Sequence, residues 1–232
     1  KAYEEKFGIP PFKTAHKEIP AFIYGLANRN YAGGLNEANI RKEICLIRYC
    51  DFKSQYPLVN ALLDTQSLYL STYIRVTKNV ELAQKIIDTI TVDMMLNPDN
   101  WKNLFILVKL QCNNDMLPHK GIDCGVQSFG IKKIKNGERW VSILDAISSK
   151  FYTNKSPVVI DSYMMIASEE RIDTNIVALF GDDRYQIDLS TSDLYASLID
   201  VRDDVKADLA IAEKENTDKS KLLAMFLSNL QN

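Results

Sequence analysis

The clearest periodicity lies toward the C-terminal end, where Leu194, Leu198, Val201, Val205, Leu209 and Ala212 recur every three or four residues. That spacing lays one apolar stripe along a helix. Ser192 is the expected N-cap, and Asp193 suits the positive helix end. The polar run EKENTDKS (213–220) interrupts the stripe and KLLAMFLSNLQN resumes it, which predicts a helical hairpin over 191–232. Upstream the periods are shorter. EICLIRYCD (43–51) reads as a largely buried strand ending at Asp51. Pro57 then opens a helix with Leu58, Leu62 and Leu63 on its apolar side. One helix is expected from Glu81 to Leu96, closed by Asn97-Pro98. FILVKLQC (105–112) predicts a strand, and GIKKIKNGERWVSI (130–143) a hairpin around Asn136-Gly137. PVVIDSYMMIA (157–167) fits strand or helix, and VALFGDDRYQIDL (177–189) fits two short strands around Gly181-Asp182-Asp183. Residues 1–25, with Pro10, Pro11 and Pro20, read as an extended entry segment leading into the turn-rich NRNYAGGLNE. The sum is an α+β fold without internal repeats.

Composition adds exclusions. The 232 residues are 46% hydrophobic and 25% charged, as in an ordinary globular protein, and the net charge is −2. Free-standing nucleic-acid binders are usually basic, so the charge argues mildly against that role. Cys45, Cys50, Cys112 and Cys124, with His16 and His119, show no zinc-site spacing and are expected to be reduced, packing residues. No apolar run reaches membrane-spanning length, and a cytoplasmic setting is expected, free or virus-associated. With Lys1 at its start and an apolar helical pattern running to Asn232, the chain is expected to be cut from a longer one.

The stretch DFKSQYP (51–57) carries the candidate chemistry. A carboxylate at a strand's C-terminal end sits where ligands commonly bind. Asp51 with the Phe52 carbonyl suits Mg²⁺, which takes one or two carboxylates and leaves room for phosphate oxygens. The next turn would aim backbone N–H groups at those phosphates. The plainer alternative is an aspartate that caps a strand–helix turn, with Tyr56 in the core.

DFKSQYP resembles motif A of family B DNA polymerases, Asp-Phe-x-Ser-Leu-Tyr-Pro, with Gln55 at the usual leucine. YAGGLNE (31–37) resembles the same family's Tyr-x-Gly-Gly motif, in the right order and at a suitable distance, with Leu35 where arginine is common. In LIDVRDDVKADL (198–209), Arg202 and Lys206 lie four apart on one helix face. By spacing alone they are a solvated charged face, with Asp203 and Asp204 beside them. The family's fingers helix, however, bears Arg-x-x-x-Lys. NPDNWKNLFILVKLQ and LPHKGI look like an insertion found in polymerases of mobile elements and large viruses.

The resemblance implies template-directed nucleotidyl transfer from a dNTP to a primer 3′-hydroxyl, with two Mg²⁺ ions in the complete enzyme. Asp51 would be the catalytic carboxylate, and Asp51 and Phe52 metal ligands. Ser54, Gln55, Tyr56, Arg202 and Lys206 would face the nucleotide, Tyr56 as the gate against a ribose 2′-hydroxyl. Tyr31, Gly33 and Gly34 would contact DNA. Partners would be primer–template DNA, dNTP and the rest of the polymerase chain, with no membrane. The implied division is a linker over 1–42, palm with motif A over 43–70, palm or insertion over 71–190, and fingers over 191–232.

Motif B (Lys-x-x-x-Asn-Ser-x-Tyr-Gly) and motif C (Asp-Thr-Asp) do not occur; Asp173-Thr174-Asn175 is a partial echo only. FGDDRY (180–185) resembles the Gly-Asp-Asp of RNA-copying polymerases but reads better as a hairpin turn. The isolated chain is expected to be inactive. Two alternatives stay open: a degenerate polymerase remnant that only binds nucleic acid or protein, and a nucleotide- or Mg²⁺-binding domain unrelated to polymerases.

Overall fold

A computed structural model of the chain describes residues 2–30, 42–50, 54–102, 104–123, 126–214 and 219–229. In chain order, α1 (Ala2–Phe7), α2 (Phe12–Ala15) and α3 (Ala21–Asn30) come first, then α4 (Gln55–Leu62) and α5 (Thr65–Leu70). Strand β1 (Ile74–Thr77) leads to α6 (Val80–Thr89) and α7 (Val92–Met95). Strands β2 (Ile106–Gln111), β3 (Asp115–Asp123), β4 (Val126–Ile134) and β5 (Glu138–Ser142) precede α8 (Ile143–Thr153) and β6 (Val158–Ala167). The last elements are β7 (Val177–Ala178), β8 (Gln186–Ile187), α9 (Leu194–Lys214) and α10 (Lys219–Asn229). Helices beside antiparallel sheets make this an α+β fold, as the patterning predicts.

The chain weaves between two units. The first takes Lys1–Ala15, Asp51–Thr72 and Glu169–Asn232, and the second His16–Cys50 and Tyr73–Ser168. In the first unit, α9 turns Val201, Val205 and Ala212 into a core with Phe7, Ile9, Leu70, Leu179 and Ile187. These α9 positions follow the spacing that the sequence announces. Helix α10 packs along α9, adding Leu223, while Phe226 stacks on Phe180 with ring centroids 4.0 Å apart.

The second unit is built on an antiparallel sheet ordered β1-β6-β2-β5. Ile106, Val108 and Leu110 alternate onto its buried face with Val141 and Met164. Helices α6 and α8 contribute Ala83, Ile87, Ile143, Ala146 and Ile147 to the buried residues. A capping box starts α8: Asp145 N–H donates to Ser142 Oγ at 3.1 Å, and Ser142 N–H donates to Asp145 Oδ2 at 3.3 Å. Lys150 of α8 donates from Nζ to the carbonyls of Ile87, Asp88 and Ile90, closing the C-terminus of α6. The β3–β4 ribbon is joined to α8 by Met116 N–H donating to Ser149 Oγ at 3.0 Å.

Several expectations are corrected. Residues 43–50 form no strand: they are irregular and exposed, with Ile44 and Leu46 wholly open to solvent. Strand propensity acts through cross-strand packing, and among the described residues nothing pairs with this run. Cys45 and Cys50 are therefore exposed, whereas Cys112 is a buried packing thiol; Cys124 lies outside the described residues. From Ala2 on, the expected extended segment instead holds α1, α2 and the start of α3. Their prolines sit where helices begin: Pro11 O accepts from Thr14 and Ala15 N–H, and Pro20 O from Ile23 N–H.

The helix expected over 81–96 is broken at Ile90, which is extended. Thr91 then caps α7 by accepting from Met94 N–H at 3.2 Å. The turn at Asn136-Gly137 exists, with Gly137 at φ 94°, but it does not close a hairpin. β4 pairs with β3, while β5 crosses to β2, where Val141 faces Val108 in the buried layer. Residues 158–167 resolve as a strand between β1 and β2. The short pair β7–β8 and the hairpin α9–α10 stand as expected. Asp193, not Ser192, caps α9: its Oδ1 accepts from Ala196 N–H at 2.8 Å, while Ser192 Oγ donates to Asp188 O.

Candidate functional site

Within the first unit α4 packs on α9, and this contact gathers the candidate residues that the structure describes. Val201 and Val205 point into the core. Arg202 and Lys206, one place further on, are rotated about 100° from them, as the helical repeat of 3.6 residues requires. Arg202 is half-buried there, and its Nη1 donates to Ser54 Oγ at 2.5 Å, a link spanning 148 positions of sequence. Its Nε is buried without a hydrogen-bond partner among the described residues. Among those residues, too, Lys206 makes no ion pair.

Ser54 is the residue ahead of α4 and holds the left-handed conformation, φ 50° and ψ 46°. An L-residue other than glycine adopts that region at a cost of order 1 kcal/mol. A serine in this place usually accepts from the second or third helical N–H. Here no side-chain cap is made, because the hydroxyl faces Arg202. The first turn of α4 thus offers the N–H groups of Gln55 and Tyr56 beside a guanidinium. That is a positive corner suited to an anion.

Gln55 and Tyr56 stand exposed on this first turn, Tyr56 at 72%, so the alternative of a core tyrosine does not hold. Leu58, expected on a buried stripe, is 42% exposed. The start of the helix is correctly placed, but α4 has no fully buried residue. Asp51, Phe52, Tyr31, Gly33 and Gly34 lie outside the described residues. Among those described, no group of three or more His, Cys, Asp or Glu side chains could hold a metal ion.

The Gly-Asp-Asp stretch is a turn, as expected. Phe180 and Gly181 carry positive φ of 59° and 71°, and Asp182 accepts from Arg184 N–H. Arg184 bridges Asp182 and Asp208, at 2.6 and 2.8 Å, and Asp208 also accepts from Tyr185 OH at 3.1 Å. These carboxylates raise the Arg184 pKa further. Burial, then the Asp208 carboxylate, pushes the Tyr185 phenol up. The partial echo of motif C is structural as well: Asn175 N–H donates to Phe7 O, and its Nδ2 to Lys6 O.

One residue that sets the site has no signal in the sequence. Gln66 of α5 donates from Nε2 to Leu189 O and Ser192 O, and its Oε1 accepts from Leu194 N–H at 2.5 Å. It fixes where α9 begins, and so the height of Arg202 against α4. Its partners are 123 to 128 positions away, which no local pattern reveals. Gln66→Ala is expected to lower stability by roughly 1–3 kcal/mol, the cost of leaving buried polar groups unpaired. Urea denaturation measures it, and an unchanged midpoint would remove Gln66 from this role.

No protein-family model, curated protein or solved structure matches the chain.

Proposed function

We propose that the chain is part of a family B DNA-directed DNA polymerase, contributing the motif A turn of the palm and the first half of the fingers. The observation that carries this reading is the Arg202–Ser54 hydrogen bond. It joins the two segments whose resemblance to that family was independent, motif A and the Arg-x-x-x-Lys helix. Two chance matches 148 positions apart would have no reason to meet.

Arg202 and Lys206 bind the triphosphate oxygens, arginine through its planar fork and lysine as a point charge. The N–H groups of Gln55 and Tyr56 face the same phosphates. The Arg202 Nε, without a partner among the described residues, is one donor such a ligand would satisfy. Asp51 and the Phe52 carbonyl are a partial donor set. They would be ligands for Mg²⁺, which takes one or two carboxylates and leaves room for phosphate oxygens. Bound there, Mg²⁺ supplies activation of the primer 3′-hydroxyl and neutralisation of phosphate charge. What the chain itself does is position: catalysis of phosphoryl transfer is mostly alignment and electrostatics.

The exposed Tyr56 ring excludes a ribose 2′-hydroxyl. Tyr56→Ala in the complete polymerase is therefore expected to relax sugar selection. The ratio of dNTP to NTP incorporation should fall by tenfold or more, on the order of one steric contact. An unchanged ratio would take the gate away from Tyr56.

A second reading is a remnant that binds nucleic acid or protein without turnover, which would look the same within these residues. Sequencing the encoding gene past the codon for Asn232 separates the two. Motif B and Asp-Thr-Asp in frame support the polymerase, and an immediate stop codon supports the remnant.

A further inference from the structure

The second unit holds a cavity of about 320 Å³, within the ~300–1,000 Å³ range of small-ligand sites. It lies between the C-terminal turn of α3, the ribbon strand β3 and the edge strand β5. None of its lining belongs to the candidate polymerase site, so a ligand in this cavity is independent of the polymerase assignment.

Three features of the lining point to one kind of ligand. The first is charge. Arg29 and Arg139 line the cavity, both exposed, and among the described residues neither makes an ion pair. The two carboxylates present are already engaged. Glu138 pairs with Lys109, and Asp145 Oδ2 accepts from Ser142 Oγ at 2.7 Å and from Ser142 N–H. Burial also pushes the Asp145 carboxyl up, against those hydrogen bonds.

The second feature is a flat aromatic wall. Trp140 lines the cavity and stacks on Tyr163 with centroids 5.4 Å apart and planes at 24°. Phe22 meets Tyr163 edge-on at 5.0 Å, which holds the stack in place. The third is an orphan donor: Asn30 Nδ2, on a lining residue, is buried and has no hydrogen-bond partner among the described residues. A buried polar group left unpaired costs free energy that a ligand acceptor would recover.

We propose that this cavity binds a nucleoside phosphate, with the base extending the Trp140–Tyr163 stack, the phosphate between Arg29 and Arg139, and Asn30 Nδ2 donating to the ligand. Base stacking on aromatic rings with phosphate held by arginine is how single strands and nucleotides are gripped without sequence preference. The source is either a free nucleotide or one unit of a single strand.

Only two tryptophans occur, Trp101 and Trp140, so Trp101→Phe leaves Trp140 as the sole indole reporter. That variant is titrated with dAMP, a short oligodeoxyadenylate and inorganic phosphate. The expected result is saturable quenching by one or both nucleoside probes. Quenching should weaken as salt rises and be reduced about tenfold by Arg29→Gln with Arg139→Gln. Both arginines are exposed, so the pair should leave the far-UV circular dichroism unchanged. Saturation by dAMP identifies a free nucleotide, and response to the oligonucleotide alone identifies a strand. The proposal is overturned if neither nucleoside probe quenches, if quenching survives the double arginine variant, or if inorganic phosphate competes as well as dAMP.

Discussion

Under the proposed function, alanine at Asp51 is expected to abolish primer extension by the polymerase that carries these residues, with its affinity for primer–template DNA unchanged. Metal-assisted stabilisation of a transferring phosphoryl group is worth several kcal/mol. Each 1.36 kcal/mol is tenfold in rate, so the loss should reach about 10³-fold or more. DNA affinity should stay because it rests on cationic contacts with phosphates, which a carboxylate does not make. Single-nucleotide incorporation and filter binding on the same preparation read both quantities. Extension within tenfold of the unsubstituted enzyme would remove Asp51 from catalysis and would favour a nucleotide- or Mg²⁺-binding domain unrelated to polymerases.

The largest stability effect is expected at Phe7. Its side chain is fully buried among Ile9, Val177 and Leu179, and its carbonyl accepts from Asn175 N–H at 3.0 Å. Phe7→Ala should cost roughly 3–5 kcal/mol, the usual penalty for emptying a buried aromatic site. That is a large share of the ~5–15 kcal/mol that holds a domain folded. Both tryptophans, Trp101 and Trp140, belong to the second unit. Damage confined to the first unit should therefore lower the midpoint of helical circular dichroism without moving the tryptophan fluorescence transition. An unchanged dichroism midpoint would show that α1 is not part of the core, and the extended entry segment expected from sequence would regain support.

The corrections share a physical cause. Helices carry their hydrogen bonds within one segment, so the stripe from Leu194 to Ala212 could be read directly, and α9 has the length and inward face it announces. Strands depend on partners. EICLIRYC has the composition of a buried strand and yet is exposed, because pairing and burial come from elsewhere in space. Likewise the turn at Gly137 was legible, but that β5 leaves β4 for β2 was not, since the choice is made by which face Val141 can bury. The prolines of residues 1–25 misled in the opposite direction. They mark helix starts as well as helix ends, and only the hydrogen bonds to Pro11 O and Pro20 O decide between the two.

The candidate site divides along the same line. Sequence by itself determined which residue types could act: the run from Asp51 to Pro57, and the Arg202–Lys206 pair four apart on a helix face. It also determined the α+β class and the helical hairpin, because both follow from local periodicity. Only the tertiary structure decided that Ser54 and Arg202 touch, that Tyr56 faces solvent, and that Gln66 sets the start of α9. Hydrogen bonds between groups more than a hundred positions apart depend on how packed helices bring their faces together. A linear pattern holds each partner but not their meeting.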